Sequence, residues 1–172
     1  KSLNELLKLL GDDDTQVELQ VSKKHILFTI GETSIVSRLL EGEFLDYNAA
    51  IPKEAATVVK VSTRGLLSSI ERTSLLISDR LKSPLRVVFE DGLVRMSCST
   101  TIGKAYDECE SQSTGPRGEM GFNDRYLMDA LKNSEADMVK LEISGPLSPM
   151  KVLPLEGDSF LFLVLPMKLK TE

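Results

Sequence analysis

Two clusters of carboxylates come nearest, in type and spacing, to acid–base or metal chemistry. Asp12, Asp13 and Asp14 are consecutive, and Asp107 is followed by Glu108. A catalytic acid needs a cleft and surroundings that perturb its pKa, whereas both clusters fall in or near predicted turns. We therefore predict solvated loops and expect no catalytic residue, no metal site and no cofactor. A small α+β enzyme that uses these acidic loops is the alternative.

The remaining reactive side chains are few. His25 lies beside an alternating run with no Cys, Asp or Glu at ligand spacing, which predicts an exposed strand residue. Cys98 and Cys109 are the only cysteines, too few for a disulfide scaffold and not at a metal-binding spacing. Their scarcity favours a reducing compartment and a cytoplasmic location. The sequence has no glycine-rich phosphate loop and no G-x-S-x-G motif.

An apolar run occupies residues 160–169, close to the C-terminal end. It is too short for a membrane-spanning helix, which needs about 20 apolar residues. Its aromatic and branched residues predict a strand from Phe160 to Leu165 that is buried on both faces. Pro166 has no N–H to donate, so strand pairing is expected to end or turn outward there. Met167 and Leu169 then predict either packing against a neighbouring segment or a rim for a partner.

The composition is that of a folded globular protein. With 172 residues, of which 41% are hydrophobic and 27% charged, the chain holds one domain, or one domain and part of another. The net charge of −5 argues against wrapping of nucleic acid over the whole surface, although a local basic stripe is compatible with it. The chain begins at Lys1 and enters a predicted helix almost at once, so we expect it to derive from a longer protein.

The pattern of predicted elements repeats three times along the chain. Each copy has one helix and about three strands, and the first begins with a helix from Ser2 to Leu10. A last extended piece at Tyr47–Ile51 precedes a polar linker, and the next copies begin near Thr57 and Glu119. Two such copies predict a compact α+β domain, with two sheets outside and two helices packed on one side.

Four local runs in a fixed order carry a resemblance to a known family. They are LEGEFLDY at 40–47 with Ile51-Pro52, GFNDRYL at 121–127, Ser148-Pro149-Met150, and VLPMKL at 164–169. Together they resemble the bacterial DNA polymerase III beta subunit, the DNA sliding clamp, over the span from Lys1 to Leu169. The resemblance implies a DNA clamp fold of repeated helix-plus-strand units, with helices on the inner face of the ring and sheets outside.

The same resemblance implies a non-catalytic processivity factor for DNA replication. Family members form a ring-shaped homodimer of three-domain subunits around duplex DNA, bind it without sequence preference, and are loaded by a clamp loader. Residues 1–52 would be the C-terminal half of the middle domain, and residues 53–172 the complete third domain. Because the family ring closes between first and third domains, this chain alone is not expected to close a ring. Contact with a membrane is not expected either. A generic interaction module unrelated to DNA is the other alternative.

A peptide-binding groove is also implied, in which polymerases and repair proteins dock short motifs with a Gln and Leu or Phe anchors. Apolar groups such as Met150, Leu165 and Met167 suit such anchors, and Asn123 and Tyr126 can hydrogen-bond a peptide. Helix capping by Asn123 and plain core packing of residues 163–165 are the alternatives. The full set of expected groove residues is Pro52, Asn123, Tyr126, Pro149, Met150, Leu163, Val164, Leu165, Pro166, Met167 and Lys168.

Two further sets of residues take their expected roles from the resemblance. Loose contact with DNA requires Lys and Arg on exposed helix faces without base-reading groups, although helix faces are normally charged in any case. A hydrophobic contact with the next subunit is expected at Leu75, Leu76 and Ile77, for which ordinary core is the alternative. The expected DNA-facing residues are Lys8, Arg64, Arg72, Arg125 and Lys132.

Overall fold

The computed structural model of the protein describes residues 2–78 and 83–169. The chain forms two compact units, one ending at Leu45 and the other beginning at Asp46. Pro52 lies in the second unit, and the domain boundary expected after it stays a prediction.

The first unit contains one helix and a three-stranded antiparallel sheet. Helix α1 spans Ser2–Leu9, and strands β1 Val17–Val21, β2 His25–Ile30 and β3 Thr33–Arg38 pair in the order β1-β2-β3. Within the described part of this unit, Phe28 is the only buried residue. His25 is exposed at the start of β2, which confirms the prediction of an exposed strand residue.

The second unit alternates helices with antiparallel strands. No helix in residues 2–78 or 83–169 is both long enough and apolar enough to cross a membrane. In chain order the elements are α2 Tyr47–Ala50, β4 Thr57–Ser62, α3 Thr63–Thr73, a 3-10 turn Ser74–Leu76, β5 Leu85–Glu90, β6 Leu93–Thr100, β7 Gly103–Thr114, β8 Gly118–Phe122, α4 Asp124–Lys132, β9 Met138–Ile143, β10 Met150–Leu153, β11 Phe162–Val164 and β12 Pro166–Met167.

A short helix, α2, replaces the extended piece that the sequence predicted at Tyr47–Ile51. The carboxylate of Asp46 accepts a hydrogen bond from the backbone N–H of Asn48 at 3.1 Å and so caps the helix. A run of four residues is too short for apolar periodicity to separate a strand from a helix. The predicted extended piece is therefore wrong, because the capping carboxylate of Asp46 favours a helix here.

Two copies of a strand, a helix and three further strands build the second unit. They are β4-α3-β5-β6-β7 and β8-α4-β9-β10-β11, and the sheet order is β11-β10-β9-β4-β7-β6-β5-β8-β12. The long strand β7 joins the two halves of the sheet, because residues 103–110 pair with β6 and residues 111–114 pair with β4. The predicted α+β class and the predicted repeat are both confirmed. The two sheets expected in this domain are instead one continuous sheet of nine strands, because β7 pairs in both halves.

Each of the two longer helices packs one apolar side on the sheet. Leu66 and Ile70 of α3, and Leu127 and Leu131 of α4, are at most 1% exposed. Burying an aliphatic side chain of this size stabilises the fold by about 1.5–3 kcal/mol. These contacts fix both helices on one face of the sheet and so fix the loops and caps at their ends.

The C-terminal run forms two short strands at opposite edges of the sheet. Strand β11 pairs with β10, whereas β12 pairs with β8, and only Leu165 lies between them. The predicted burial on both faces is wrong, because among residues 160–165 only Val164 is buried and Leu165 is 69% exposed. Pairing with β10 ends at Val164, as expected near Pro166. Pro166 itself, however, pairs with Phe122 of β8, since an edge strand tolerates proline. The sheet therefore curls until its two edge strands are neighbours in the chain.

Candidate functional site

A cleft opens where the start of α4 faces strand β12, and it is called the α4–β12 cleft below. Three residues expected in a peptide groove, Asn123, Tyr126 and Met167, come together in its walls. Its volume is about 340 Å³, and its lining consists of Ile77, Ser78, Ser83, Asn123, Asp124, Arg125, Tyr126 and Met167.

Asn123 both begins helix α4 and faces the cleft. Its Oδ1 accepts hydrogen bonds from the backbone N–H groups of Arg125, at 3.0 Å, and Tyr126, at 3.4 Å, which confirms the capping interpretation. Both bonds use the amide oxygen, and the Nδ2 group has no partner among the described residues. The two N–H groups on Nδ2 can therefore donate to a carbonyl oxygen of a ligand.

Tyr126 and Met167 are, with Ile77, the apolar residues of a cleft that is otherwise lined by polar side chains. Tyr126 is 65% exposed, although it lies on a helix that buries its opposite side. Met167 is half-buried and pairs in register with Gly121 of β8. An exposed aromatic ring and a flexible thioether suit apolar anchors of varied shape, while the Tyr126 hydroxyl can donate or accept a hydrogen bond.

Gly121 is a determinant of the cleft to which sequence reasoning assigned no role. A Cβ atom at this position would lie 2.6 Å from the backbone oxygen of Met167 and 2.8 Å from Cδ2 of Leu169. Glycine thus allows β12 and the residues after it to lie directly against β8. The signal was a single glycine inside a predicted strand, which often marks a close approach of two backbones.

The other residues expected in the groove do not line this cleft. Met150 and Val164 are 0% and 3% exposed and are register partners within the core. The expected places of Met150 and Val164 on a binding surface are therefore wrong, because β10 and β11 turn these side chains inward. The remaining members are half-buried or exposed, namely Pro52, Pro149, Leu163, Leu165, Pro166 and Lys168.

The cations expected to face DNA differ in how far carboxylates neutralise them. Lys8 pairs with Glu5 at 3.0 Å, and Lys132 pairs with Glu71 at 3.5 Å. Arg64 is exposed and has no ion-pair partner within residues 2–78 and 83–169. Exposed pairs of this kind are weak, so Lys8 and Lys132 can exchange their partners for another anion.

Arg64 and Lys132 meet at a second cleft, which lies between the start of α3 and the end of α4. Its volume is about 360 Å³, and Glu135 and Asp137 also line it. The two cations are therefore neighbours, but two carboxylates share their surroundings. The fifth expected cation, Arg125, lines the α4–β12 cleft instead.

Arg72 is held against the sheet by Asp107. Nε of Arg72 donates to Oδ2 of Asp107 at 2.5 Å, and this hydrogen bond lowers the pKa of Asp107 and raises the pKa of Arg72. The predicted solvated turn at Asp107 and Glu108 is wrong, because both lie within β7, where alternation turns Asp107 towards α3. Burial, followed by the charge of Asp107, raises the pKa of nearby Cys109 to about 11.

The residues expected to contact a neighbouring subunit divide into two groups. Leu75 is 82% exposed in the 3-10 turn, which suits an intermolecular contact. Leu76 and Ile77 are half-buried, and Ile77 packs against the core and lines the α4–β12 cleft. Ordinary packing therefore accounts for part of this set.

The first acidic cluster lies in a solvated loop, as predicted. Asp12, Asp13 and Asp14 are all exposed. Hydrogen bonds from the hydroxyl and then the backbone N–H of Thr15 lower the pKa of Asp13. In the described ranges, no three His, Cys, Asp or Glu side chains lie close enough together to hold a metal ion.

Comparison with known protein families gives matches over nearly the whole chain. The family model for the DNA polymerase III beta subunit, C-terminal domain, matches residues 48–168, and that for the central domain matches residues 1–46. The beta sliding clamps of Staphylococcus epidermidis and Staphylococcus aureus are each 29% identical over 170 residues, which is 98% of this chain and 45% of theirs. The chain thus spans about 45% of the length of these curated relatives.

Solved structures of sliding clamps have the same fold. The DNA polymerase sliding clamp from Bacillus subtilis superposes with a TM-score of 0.90 at 27% identity, covering 98% of this chain and 45% of that one. The clamp from Bartonella birtlesii bound to griselimycin gives a TM-score of 0.89 at 26% identity, covering the same shares of the two chains. Because the C-terminal domain model alone matches well over half of the residues, this chain belongs to the DNA polymerase III beta subunit family.

Proposed function

We propose that this chain is part of a DNA sliding clamp, which encircles duplex DNA and tethers polymerases and repair proteins to it. The clamp tethers these proteins and catalyses no reaction. A clamp loader places it on DNA, the full-length protein forms a homodimer, and it acts in the cytoplasm. The observation that supports the proposal most is the convergence of Asn123, Tyr126 and Met167 on one cleft. These are the positions at which the resemblance placed a peptide-binding groove.

The cleft has the groups that a short docking motif requires. The free Nδ2 of Asn123 donates to a peptide carbonyl or to a glutamine side chain. Tyr126 and Met167 contact the apolar Leu or Phe anchors of the motif. Leu165, which is 69% exposed, and Lys168 continue this surface along the chain on either side of β12. The hydrogen bond from Asn123 to the peptide contributes affinity, and the apolar contacts contribute specificity.

Contact with DNA in this proposal is weak and independent of sequence. Arg64 and Lys132 lie together and are exposed, so they can approach the phosphate backbone. Arg72 contributes less, because Asp107 holds its guanidinium against the sheet. Binding by a few such cations weakens strongly as salt rises, because each phosphate contact releases counterions.

Peptide affinity tests the proposal. A fluorescent peptide that carries a glutamine followed by leucine and phenylalanine anchors is titrated with the protein, and its anisotropy is recorded. Tyr126→Ala and Met167→Ala should each weaken binding by about tenfold, the effect of removing a central anchor contact. Ile102→Ser is the control, because Ile102 is 72% exposed in the β6–β7 turn and does not line the cleft. Equal losses in all three variants would contradict the proposal.

A further inference from the structure

A second concavity lies on the outer face of the sheet, the face of β5, β6 and β7 opposite α3. It has a volume of about 510 Å³ and is called the outer trough. Strand register explains its shape. Ser97 on β6 lies between Arg86 on β5 and Tyr106 on β7, and Ser99 pairs with Lys104. Because short serine side chains lie between long neighbours, the floor of the trough is low and its walls are high.

The trough carries positive charge that is only partly neutralised. Lys104 is exposed and has no ion-pair partner in the part of the chain that the structure describes. Arg86 pairs with Glu119 at 2.6 Å, and the hydroxyl of Tyr106 donates to Glu108 at 2.5 Å. Lys104 is therefore the group best able to hold an added carboxylate, and the serine hydroxyls on the floor can donate further hydrogen bonds.

The outer trough and the α4–β12 cleft share parts of their walls. Ser83 lines both cavities, while the C-terminal segment contributes Met167 to the cleft and Leu169 to the trough. Gly121 seats this segment, because a Cβ atom there would meet both the Met167 backbone and the Leu169 side chain. Because both cavities meet at Ser83, a peptide seated in the cleft can reach the trough past this residue.

We propose that the outer trough binds an acidic stretch that flanks the docking motif of a partner protein, with a carboxylate at Lys104. The inference rests on the proposed function, because the motif itself must occupy the cleft. Continuity of the walls and the charge of Lys104 select an acidic flank of the same peptide as the occupant. A single exposed charge pair is weak, so the flank raises affinity by about two- to fivefold at low salt.

The test compares peptides that share one docking motif and differ in a six-residue extension, which spans about 20 Å when extended. One extension contains three aspartates and its counterpart three asparagines, and each is placed before or after the motif. Affinity is measured for the wild type, for Lys104→Glu and for Lys60→Glu. Lys60 is an exposed lysine on β4 outside the trough, so its variant controls for the change in overall charge.

We expect one acid-extended peptide to bind two- to fivefold more tightly than its asparagine counterpart, because an exposed charge pair contributes only weakly. This gain should vanish in Lys104→Glu and at high salt, and persist in Lys60→Glu. Equal affinities of acidic and asparagine peptides, or a gain that survives Lys104→Glu, would overturn the proposal for the trough. Neither result would contradict the proposed peptide site in the cleft. Failure of the motif peptide itself to bind would contradict the proposed function and the trough together.

Discussion

Asn123 and Gly121, two residues apart, shape the α4–β12 cleft in different ways. The oxygen of Asn123 is used to begin α4, which leaves its nitrogen for a ligand. Gly121 acts through the side chain it lacks, because β12 occupies that space. Asn123 therefore supplies a hydrogen-bond donor, and Gly121 leaves the space that β12 occupies.

Replacing Gly121 by alanine is expected to displace β12. The added Cβ would meet a backbone oxygen at 2.6 Å, so the variant should lose about 1–3 kcal/mol of unfolding free energy, as overpacked sites do. Peptide affinity should fall with it, because Met167 moves. Gly118→Ala in the same strand is the matched control, since its nearest neighbour is at 3.6 Å. Urea denaturation measures the free energy of unfolding of both variants. Similar losses in Gly121→Ala and Gly118→Ala would contradict the role of Gly121.

A half-buried carboxylate on the sheet gives a pH-dependent prediction. Glu142 bonds Lys151 at 2.6 Å and Lys140 at 3.4 Å. Burial alone would raise the pKa of Glu142, but the two lysines outweigh it and lower the pKa below the ordinary value of 4.5. The stabilisation is therefore complete above pH values near 4.5 and is lost as pH falls through the folded-state pKa.

Glu142→Gln should reduce the free energy of unfolding by about 1–3 kcal/mol at pH 7. Its difference from the wild type should shrink as the pH falls below 4.5, the ordinary pKa of this side chain. Glu71→Gln is the control, because Glu71 and Lys132 are both about half exposed and such pairs contribute less than about 1 kcal/mol. A Glu142→Gln difference that stays constant with pH would contradict this account.

At the scale of elements, the ion pair between Arg72 of α3 and Asp107 of β7 keeps one cation from binding DNA. Asp107→Asn should release Arg72 from the sheet and raise affinity for duplex DNA at low salt, by about two- to fivefold for one exposed charge. It should also lower the pKa of Cys109 from about 11, because the charge of Asp107 is one of its causes. Anisotropy with a labelled duplex and the pH dependence of thiol alkylation measure the two effects.

Glu110→Gln is the matched control for this prediction. Glu110 is exposed on β7 three residues further along, on the face opposite Asp107, and its replacement changes the net charge equally. An equal gain in DNA affinity from both variants would show that overall charge, and not Arg72, is responsible.

The sequence predicted the longer helices and strands better than the short elements and the pairing of strands. Apolar periodicity located α3, α4 and most strands, because each buries one regular face. It failed for α2, where a single capping carboxylate decides the conformation. It also failed for the C-terminal run, because the pairing of β12 with β8 depends on a distant glycine. Burial of Met150 and the inward turn of Asp107 follow from strand register, which a single sequence does not fix.

At the scale of the whole molecule, the chain spans about 45% of the length of its curated relatives. The proposed ring closes between two different domains, and this chain would supply one of the two surfaces. We therefore expect the 172-residue chain to sediment as a monomer at micromolar concentration. Exposed Leu75 alone is too small a contact for a stable dimer, which usually buries about 1,200–2,000 Å². A closed ring in sedimentation velocity would contradict this expectation.

The central claim is that the α4–β12 cleft is a docking site for partner peptides, and an NMR titration tests it most directly. The isotope-labelled chain is titrated with the motif peptide, and amide shifts are followed residue by residue. We predict that the largest shifts fall on Asn123, Tyr126 and Met167, and that the signal of the Ile102 amide in the β6–β7 turn does not shift. Saturable shifts confined to other surfaces would contradict it.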